Sequence, residues 1–424
     1  MKSSLEAIAR DISAIVKYDS SLSRTCSGIR APFGLGVRNS LDFYLSKAKE
    51  FGFDTWDLDG FAGEISWGTG KDFAILVHMD EVPAGTGWTH DPFGGEIDEA
   101  AGRIWGRGTM DDKGPAVIVL HAMKALKDEG FVPGRRIKLI AGCNEETGWK
   151  CIEYYTEHAH MPDEGFSPDA DFPVIYAEKG ILQIEARFEV PGAKDRFQAF
   201  FGGTAANMVC ARCEAYAPLD EEKLNELGLE YNTATGVVIS SGKAAHGSTP
   251  ENGVNAIPAM LKYLGLDDIY KALFEDYLGL RGLEDETGPL TFSPDLVRQE
   301  GDTICVTCDI RYPATMQDMD IHRKLSAYGV PYDGVHYQAP LYNDKNSTLI
   351  STLLSVYNEV TGSNAEPIAI GGGTYARALK NGAGFGPEGP GEKSTMHEPD
   401  EYITFDKIEQ CFEIYKLAIK RLCG

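Results

Sequence analysis

Acidic and imidazole side chains recur in this chain next to short apolar runs, at positions where buried strands would end. Two histidines and three carboxylates can hold two Zn²⁺ ions, and a further carboxylate beside them can act as a general base. This inventory predicts metal-assisted hydrolysis. The residues that could supply it stand at five places along the chain: His78 with Asp80, Asp111 with Asp112, Glu145 with Glu146, Asp169, and His397.

Charge balance supports a cluster of this composition. Two Zn²⁺ ions carry four positive charges, and the carboxylates of Asp111, Glu146 and Asp169 with one hydroxide carry four negative charges. A nearly neutral cluster can be partly buried, whereas an unbalanced one would be costly to remove from water. We therefore expect these side chains to converge on one site.

The first place is the tripeptide His78-Met79-Asp80, which follows the apolar run FAILV at 73–77. An imidazole there can bind a metal ion while Asp80 holds its other ring nitrogen. A loop histidine with a local hydrogen bond is the alternative. The tripeptide taken alone leaves both interpretations open.

The next two places each carry adjacent carboxylates at a turn. Asp111 and Asp112 lie in GRGTMDDKG, before a strongly predicted helix. Glu145 and Glu146 lie in CNEETG, after the apolar run at 137–141. Helix capping explains one acidic residue better than two, because adjacent carboxylates repel each other unless a cation lies beside them. In the glutamate pair, one residue could bind the metal while its neighbour takes a proton from the bound water.

The remaining two places are single candidates. The segment PDAD at 168–171 offers two carboxylates, and the residues alone do not choose between Asp169 and Asp171. His397 lies in STMHE, and a lone histidine of this kind is more often structural than a ligand. Only the occurrence of all five places in one chain makes the metal interpretation the stronger one.

The composition argues against several partners and locations. Forty basic and 64 acidic residues give 40 − 64 = −24, which opposes binding to nucleic acid or to an anionic membrane surface. Glu6, Arg10 and Asp11 interrupt the N-terminal apolar residues, so this segment is predicted as an amphipathic helix and not as a signal peptide. Nine scattered cysteines, an odd number, favour a reducing, cytoplasmic setting.

The elements that must position these residues alternate between helix and strand. Buried parallel strands are typically continuous apolar runs, and helices show a period of about 3.6 residues. This order predicts an α/β fold with a mostly parallel sheet flanked by helices. The predicted helices are Leu5–Val16, Arg38–Phe51 and Pro115–Lys127, and the predicted strands are Phe73–Val77 and Ile137–Ala141.

From Ile181 onwards the pattern changes. The stretches LQIEARFEV at 182–190 and TICVTCDIRYP at 303–313 alternate apolar and polar residues, as in a half-exposed antiparallel sheet. We interpret the chain as a split catalytic domain, residues 1–180 and 343–424, interrupted by an α+β lid domain at 181–342. The further predicted elements are helices at Ala256–Leu264, Thr348–Thr361 and Ile408–Leu422 and a strand at Pro367–Ile370.

Two CxxC pairs, Cys210 with Cys213 and Cys305 with Cys308, would ordinarily indicate a structural zinc site. Both pairs lie in alternating stretches that predict strands, where residues i and i+3 point to opposite faces. We therefore expect no Cys₄ site and interpret the other cysteines as small buried apolar residues.

Taken together, the motifs resemble those of the co-catalytic di-zinc exopeptidases, the family of carnosinases, aminoacylases and succinyl-diaminopimelate desuccinylase. HMD, GRGTMDDKG and NEETG match its three N-terminal motifs in order and spacing. The likeness is greatest to the branch of bacterial dipeptidase V, an Xaa-His dipeptidase, and spans essentially the whole chain. The segments that carry it are SPDADFPVIYAEKG, AAHGSTPENGVNA, DIRYP, GGGTYAR and STMHEPDE.

The resemblance implies a role for each candidate at the metal site. Two Zn²⁺ ions are implied, with Mn²⁺ or Co²⁺ as possible substitutes, and Asp111 bridges them. Glu145 would be the general base, Asp80 would assist as a further catalytic residue, and the Asp111–Asp112 peptide bond would be cis. The implied terminal ligands are His78 and Asp169 for one ion, and Glu146 and His397 for the other.

The resemblance also implies residues that meet the substrate. His246 would stabilise the developing oxyanion, Asn207 and Arg311 would face the substrate from the lid, and Gly372, Gly373 and Thr374 would meet the carboxylate end of the peptide. Pairing of Arg311 with Asp309, and a plain turn at the glycines, are the alternatives. The long lid favours a monomer over a homodimer.

The expected function is that of a zinc-dependent dipeptidase that cleaves small unblocked dipeptides. An N-acyl-amino-acid deacylase with the same metal centre is the alternative within enzymes. A catalytically silent metal-binding scaffold is the alternative from another class, and the presence of both Glu145 and His246 argues against it, since a scaffold needs neither residue.

Overall fold

The computed structural model describes residues 2–424, which form two compact units. The first unit comprises the described residues up to Tyr176 together with Asn343–Ile368 and Gly373–Gly424, and the second comprises Ala177–Tyr342 with Ala369–Gly372. Residue 1, the predicted start of the first domain, lies outside the described residues. The domain boundaries predicted at residues 181 and 343 stay predictions. The predicted monomeric state also stays a prediction.

The sheet of the first unit has four parallel strands at its centre and antiparallel strands on both sides of them. An α/β fold with parallel strands was expected from the continuous apolar runs, and the antiparallel flanks complete it as a mixed sheet. In order across the sheet, the strands are Asp54–Leu58, Ala62–Trp67, Arg136–Gly142, Asp72–His78, Glu164–Ser167, Asn381–Gly384 and Ile175–Glu178.

The central strand Asp72–His78 shows why its sequence is apolar without interruption. Leu76 packs in a cluster with Tyr155 on one face of the sheet. Phe73, which points to the opposite face, contacts the ring of Phe166. Both faces of the strand are therefore covered, and its residues 73–78 are all fully buried.

Six helices of the first unit surround this sheet, and each of the five predicted ones forms within a few residues of its expected bounds. The helix after the aspartate pair begins at Lys113, and Pro115 lies in its first turn. No described helix combines the length and apolar character that a transmembrane span requires. The helices are Lys2–Ile15, Leu35–Glu50, Lys113–Asp128, Lys150–His158, Thr348–Thr361 and Phe405–Cys423, with a 3₁₀ turn at Tyr375–Ala378.

Three of the five candidate ligands, and the neighbouring Glu145, lie where parallel strands end. His78 is the last residue of its strand, Glu145 and Glu146 follow the strand Arg136–Gly142, and Asp169 follows the strand Glu164–Ser167. Carboxyl ends of parallel strands meet at one edge of a sheet, so neighbouring strands deliver these residues to the same region.

The second unit is built on an antiparallel sheet that packs against short helices around its own core. Its helices include Ile257–Tyr263, Asp267–Tyr270 and Asp318–Tyr328. In order across the sheet, the strands are Glu230–Asn232, Val237–Ser241, Arg212–Tyr216, Ala199–Gly202, Thr291–Glu300, Thr303–Tyr312, Gly180–Glu189 and Tyr332–Gln338.

One strand of this sheet differs from the expectation of a half-exposed face. Gly180–Glu189 alternates between buried and partly exposed residues as predicted, but Thr303–Tyr312 is buried from Ile304 to its end. This strand lies between two long neighbours in the sheet, and its polar residues Asp309 and Arg311 neutralise each other in an ion pair. The alternation therefore predicted the strand correctly and its exposed face wrongly.

Candidate active site

Two groups of three side chains in the first unit bring their donor atoms close enough to bind a metal ion. Within each group, one donor atom from every residue lies within 4.8 Å of the others. Asp111 belongs to both groups, and all five members are residues predicted from the sequence as ligands. The groups are His78 with Asp111 and Asp169, and Asp111 with Glu146 and His397.

The two ring nitrogens of His78 have different surroundings. Nδ1 lies 2.9 Å from the backbone oxygen of Asp80, an atom that can only accept a hydrogen bond. Neutral His78 therefore carries its proton on Nδ1 and has a lone pair on Nε2. Nε2 lies 2.9 Å from Asp111 Oδ1 and 3.6 Å from Asp169 Oδ2, yet it has no hydrogen-bond partner among the described residues. Buried nitrogen and carboxylate oxygen atoms that converge in this way fit a bound cation.

His397 approaches the other side of the same aspartate. Its Nε2 lies 2.7 Å from Asp111 Oδ2 and 3.3 Å from Glu146 Oε1. The Oε1 atom of Glu146 is buried and has no hydrogen-bond partner among the residues that the structure describes. Asp111 thus directs one carboxylate oxygen towards each histidine, which is the arrangement that a carboxylate bridging two cations requires.

The protein around these groups is strongly negative. Hydrogen bonds to Asp111 and Glu146 raise the pKa of His397 to about 11. Burial, together with the charge of Asp111, raises the pKa of Glu146. Both shifts show that the cluster favours added positive charge, whether from protons or from a metal ion.

Two other candidates remain outside these groups. Asp171, which the residues alone could not distinguish from Asp169, lies in a short strand paired with Pro387–Glu388 and belongs to neither group. Among the described residues, no cysteine takes part in such a group either, and the four cysteines of the CxxC pairs are buried.

Asp80 holds the ring nitrogen of His78 as predicted, but through its backbone oxygen, which leaves its carboxylate for other partners. Its carboxylate lies 3.6 Å from His78 Nδ1, and the backbone oxygen of Asp80 takes that hydrogen bond instead. The carboxylate accepts the backbone N–H of Glu145 through Oδ1 at 3.0 Å and that of Glu146 through Oδ2 at 3.1 Å. The predicted contact with the imidazole is therefore made by the backbone oxygen of Asp80, while its carboxylate holds two N–H groups of the turn. Asp80 fixes the turn that carries both glutamates.

Glu145 lies beside the ligand groups without joining either of them. The indole N–H of Trp149 donates to Glu145 Oε1 at 3.1 Å. Burial, with the charges of Asp169 and Glu146, raises the pKa of Glu145 well above its usual value. A carboxylate that stays off the metal and is oriented by a neighbour is suited to proton transfer. Trp149 was not predicted from the sequence, where its one signal is its position four residues after Glu145.

Asp112 performs a separate task from its neighbour. It is fully buried, and its Oδ2 accepts the backbone N–H of His78 at 3.0 Å. Asp111 therefore faces the imidazoles while Asp112 holds the backbone of one of them. The peptide bond between the two aspartates is cis, as the resemblance implies.

Tyr375 is a second residue that the sequence analysis did not single out. Its ring makes edge contacts with His78 and Trp149, with centroids 6.3 and 5.4 Å away. This position requires a glycine opposite, because a Cβ atom on Gly142 would lie 1.7 Å from the tyrosine hydroxyl oxygen. The sequence signal that could have indicated Tyr375 is Gly142, the glycine that ends the strand before Glu145.

His246 lies in the second unit, where its Nδ1 accepts the backbone N–H of Ser248 at 3.1 Å. Burial and the positive charge of Arg311 lower the pKa of His246. The imidazole is therefore neutral near pH 7 with its proton on Nε2, which makes it a hydrogen-bond donor. Asn207 lies on the adjacent segment, where its backbone oxygen accepts the N–H of Gly247 at 2.7 Å.

Arg311 is buried and pairs with Asp309, the alternative that its sequence left open. Nη2 donates to Asp309 Oδ2 at 2.9 Å, and Nε donates to the other oxygen of the same carboxylate. Nη1 donates to the backbone oxygen of Gly371 at 3.2 Å. The guanidinium group therefore holds the glycine segment of its own unit, and a contact with substrate stays a prediction.

The remaining substrate candidates divide between the two units. Gly372 belongs to the second unit, whereas Gly373 and Thr374 belong to the first. Thr374 Oγ1 accepts the N–H of Ala376 at 3.2 Å and caps the short 3₁₀ helix that carries Tyr375. Thr374 therefore has a local structural role, and the role of all three residues towards a substrate stays a prediction.

Comparison with known proteins places this geometry in a family. The model of Peptidase family M20/M25/M40 matches residues 74–421. The chain belongs to this family. It is therefore a peptide-bond hydrolase, and its two candidate ligand groups identify it as a metallopeptidase.

Relatives of this M20/M25/M40 peptidase match it over nearly their full lengths. A putative dipeptidase, YtjP, from Bacillus subtilis is 36% identical, with 98% of this chain and 97% of the relative covered. The β-Ala-Xaa dipeptidase of Lactobacillus delbrueckii is 33% identical, with 98% and 96% covered. Aminoacylhistidine dipeptidase from Vibrio alginolyticus shares the fold, with a TM-score of 0.61, 13% identity, and 98% and 96% of the two chains covered.

Proposed function

We propose that this peptidase is a dipeptidase that uses two Zn²⁺ ions, with Mn²⁺ or Co²⁺ as possible substitutes, to hydrolyse small unblocked dipeptides. One observation carries the proposal: Asp111 places Oδ1 2.9 Å from His78 Nε2 and Oδ2 2.7 Å from His397 Nε2. A single carboxylate shared in this way between two imidazoles suits a pair of metal ions better than a single one.

Each ion would be held by one of the two groups. His78, Asp111 and Asp169 would hold one, and Asp111, Glu146 and His397 would hold the other. When bound, the ions lower the pKa of a bound water and polarise the scissile carbonyl. The unpartnered Nε2 of His78 and Oε1 of Glu146 support this assignment, because a metal ion would satisfy both atoms.

Glu145 would act as the general base and then as the general acid. Its carboxylate takes a proton from the attacking water and later delivers a proton to the leaving amine. The indole of Trp149 orients this carboxylate, and Asp80 fixes the backbone of its turn. The chain therefore holds the proton carrier separately from the ligand Glu146, which is its immediate neighbour.

The second unit would supply the remaining contacts to substrate. His246 would donate a hydrogen bond from its Nε2–H to the developing oxyanion, since its Nδ1 already accepts the N–H of Ser248. Asn207 and Arg311, with the segment 372–374, would meet the rest of the dipeptide. The nine free cysteines suit a protein of the reducing cytoplasm.

The names of the relatives support dipeptides as the substrate class, since both curated relatives are dipeptidases by name. The test is a panel of dipeptides, including β-Ala-Xaa and Xaa-His, measured beside N-acetyl and N-succinyl amino acids with the metal-loaded enzyme. We expect kcat/KM to be highest for dipeptides with a free amine. Preference for the N-acyl substrates would identify a deacylase instead. Absence of turnover on every substrate by protein that binds two metal ions would point to a scaffold.

A further inference from the structure

Glu401 contacts nearly the whole loop that presents Asp111. Its backbone oxygen accepts the N–H of Gly106 at 2.9 Å. Its Oε1 accepts the N–H of Met110 at 2.8 Å and that of Asp111 at 3.3 Å. Its Oε2 accepts from Arg107 Nη1 at 2.6 Å. One residue from the C-terminal part of the chain thus receives hydrogen bonds from Gly106, Arg107, Met110 and Asp111.

This contact is an interior one. Glu401 is fully buried, and Arg107 is the largest of the fully buried side chains. A buried carboxylate beside a buried guanidinium must keep its position, because movement of either would leave a charge without a partner in a medium of low polarity. The Oε2 end of Glu401 therefore anchors the residue while Oε1 holds the backbone of the Asp111 loop.

Glu401 also belongs to the segment that carries His397. The preceding residue, Asp400, accepts the N–H and the hydroxyl of Thr89 at 2.8 and 2.7 Å and the N–H of His90 at 3.1 Å. Two consecutive carboxylates therefore hold the segment after His397. Asp400 joins it to residues 89–90, and Glu401 joins it to the loop 106–111. Through Glu401 it is joined directly to the loop that ends in Asp111.

We propose that Glu401 is a positioning residue that sets the relative placement of Asp111 and His397, two of the three ligands of the second group. This inference rests on the proposed function, since it assumes that both residues bind metal. The metal site would then form only when Glu401 accepts the hydrogen bonds of the 106–111 loop. Metal affinity, and not only stability of the fold, would depend on its carboxylate.

The hydrogen-bond donors around the side chain of Glu401 require a carboxylate at this position. Both oxygens of Glu401 accept hydrogen bonds, Oε1 from two backbone N–H groups and Oε2 from a guanidinium. A glutamine has one accepting oxygen, so its NH₂ group would face either the backbone donors or Arg107, whichever way it is turned. An aspartate keeps the charge but is one methylene shorter, so it cannot reach both partners.

The experiment measures Zn²⁺ affinity by competition with a chromophoric chelator, and metal content after dialysis, for Glu401→Gln and Glu401→Asp. The stability of each metal-free protein is measured in urea. Glu64→Gln is the matched control, because Glu64 is also buried and pairs with Lys138 at 3.4 Å but belongs to neither ligand group. The full-length chain is used throughout.

We expect both Glu401 variants to bind Zn²⁺ about 10–100-fold more weakly than the parent, as for other residues that orient metal ligands. Glu64→Gln should lose stability and keep the affinity of the parent. Parental affinity in a folded Glu401 variant, or an equal loss of affinity in Glu64→Gln, would overturn the inference. Glu401→Asp, which keeps the charge beside Arg107, decides the question if Glu401→Gln fails to fold. A parent protein that binds no zinc would instead refute the proposed function.

Discussion

Asp80 accepts the backbone N–H of Glu145 across 3.0 Å, although 65 positions separate the two residues in the chain. The carboxylate follows the strand Asp72–His78, whereas the N–H belongs to the turn after the neighbouring strand. The end of one parallel strand therefore sets the orientation of the proposed general base on the next. This contact links the placement of a ligand, His78, to the placement of the group that would move the proton.

Replacement of Asp80 by asparagine tests this link. An amide has one accepting oxygen, so its NH₂ group would oppose the N–H of either Glu145 or Glu146. We expect kcat on a dipeptide to fall about 10–100-fold, with a smaller change in KM. Asp98→Asn is the control, because Asp98 also accepts a backbone N–H, that of Ala101, but in an exposed turn. An unchanged kcat in folded Asp80→Asn would contradict the proposed role.

Glu145→Gln should separate metal binding from proton transfer. Glu145 belongs to neither ligand group, so the variant should retain about two equivalents of metal per chain. Turnover should fall by a factor of ~10²–10⁴, the usual contribution of a general base. Metal analysis and steady-state kinetics on the same preparation give both quantities. The control is Glu157→Gln on the surface of the helix Lys150–His158. Loss of metal together with activity would make Glu145 a ligand instead.

Ligand substitutions should have unequal effects because Asp111 belongs to both groups. His397→Ala should reduce the metal content from about two equivalents to about one, whereas Asp111→Ala should reduce it to less than one. Asp171→Asn is the matched control, since Asp171 is a nearby aspartate outside both groups, and it should keep two. Metal content after dialysis, measured by atomic spectroscopy, checks all three. Equal losses for Asp111→Ala and His397→Ala would argue against a bridging carboxylate.

Stability of the second unit should depend on the protonation of Asp295. Burial raises the pKa of Asp295 from 3.8 to about 8, and its Oδ1 accepts the hydroxyl of Ser293. Between these pH values the folded protein binds more protons at this residue than the unfolded chain does, so stability should fall as pH rises from about 4 to 8.

Asp295→Asn removes this dependence and supplies an amide where the buried acid holds its proton. The variant should exceed the parent in stability by on the order of a few kcal/mol above pH 8, and the difference should shrink towards pH 5. Urea unfolding of the metal-free protein at several pH values measures it. Asp268→Asn, at an exposed position of the same unit, is the control. A difference that grows as pH falls would have the wrong sign and would refute the assignment.

Much of the fold could be predicted because its signals are local. The run FAILV predicts a strand covered on both faces, and Leu76 and Phe73 are indeed buried on opposite faces. The helix after Asp112 was predicted from periodicity, with Pro115 in its first turn, and it forms at Lys113–Asp128. Hydrophobic period and turn chemistry act over a few residues, so they can be read without knowing what packs against them.

Exposure and pairing were predicted less well. The alternation in 303–312 indicated one exposed face, yet the strand is buried because it lies between two long strands and its polar residues pair internally. Asp80 holds His78 as expected, through its backbone oxygen, but the partners of its carboxylate, the N–H groups of Glu145 and Glu146, were not predicted. Burial of the first strand depends on what packs against it, and the partners of the Asp80 carboxylate lie on the turn after another strand, so no local pattern records either outcome.

The sequence by itself determined which residue types reach the candidate site: carboxylates and imidazoles, most of them directly after buried strands, in the order of the family motifs. The tertiary structure decided how they meet. In the folded protein one oxygen of Asp111 faces His78 and the other faces His397, and Glu401 is hydrogen-bonded to the loop 106–111. The physical reason is that strand ends follow from local hydrophobicity, whereas hydrogen bonds between segments hundreds of residues apart exist only once the chain has folded, as where Tyr402–Thr404 pairs antiparallel with Arg103–Trp105.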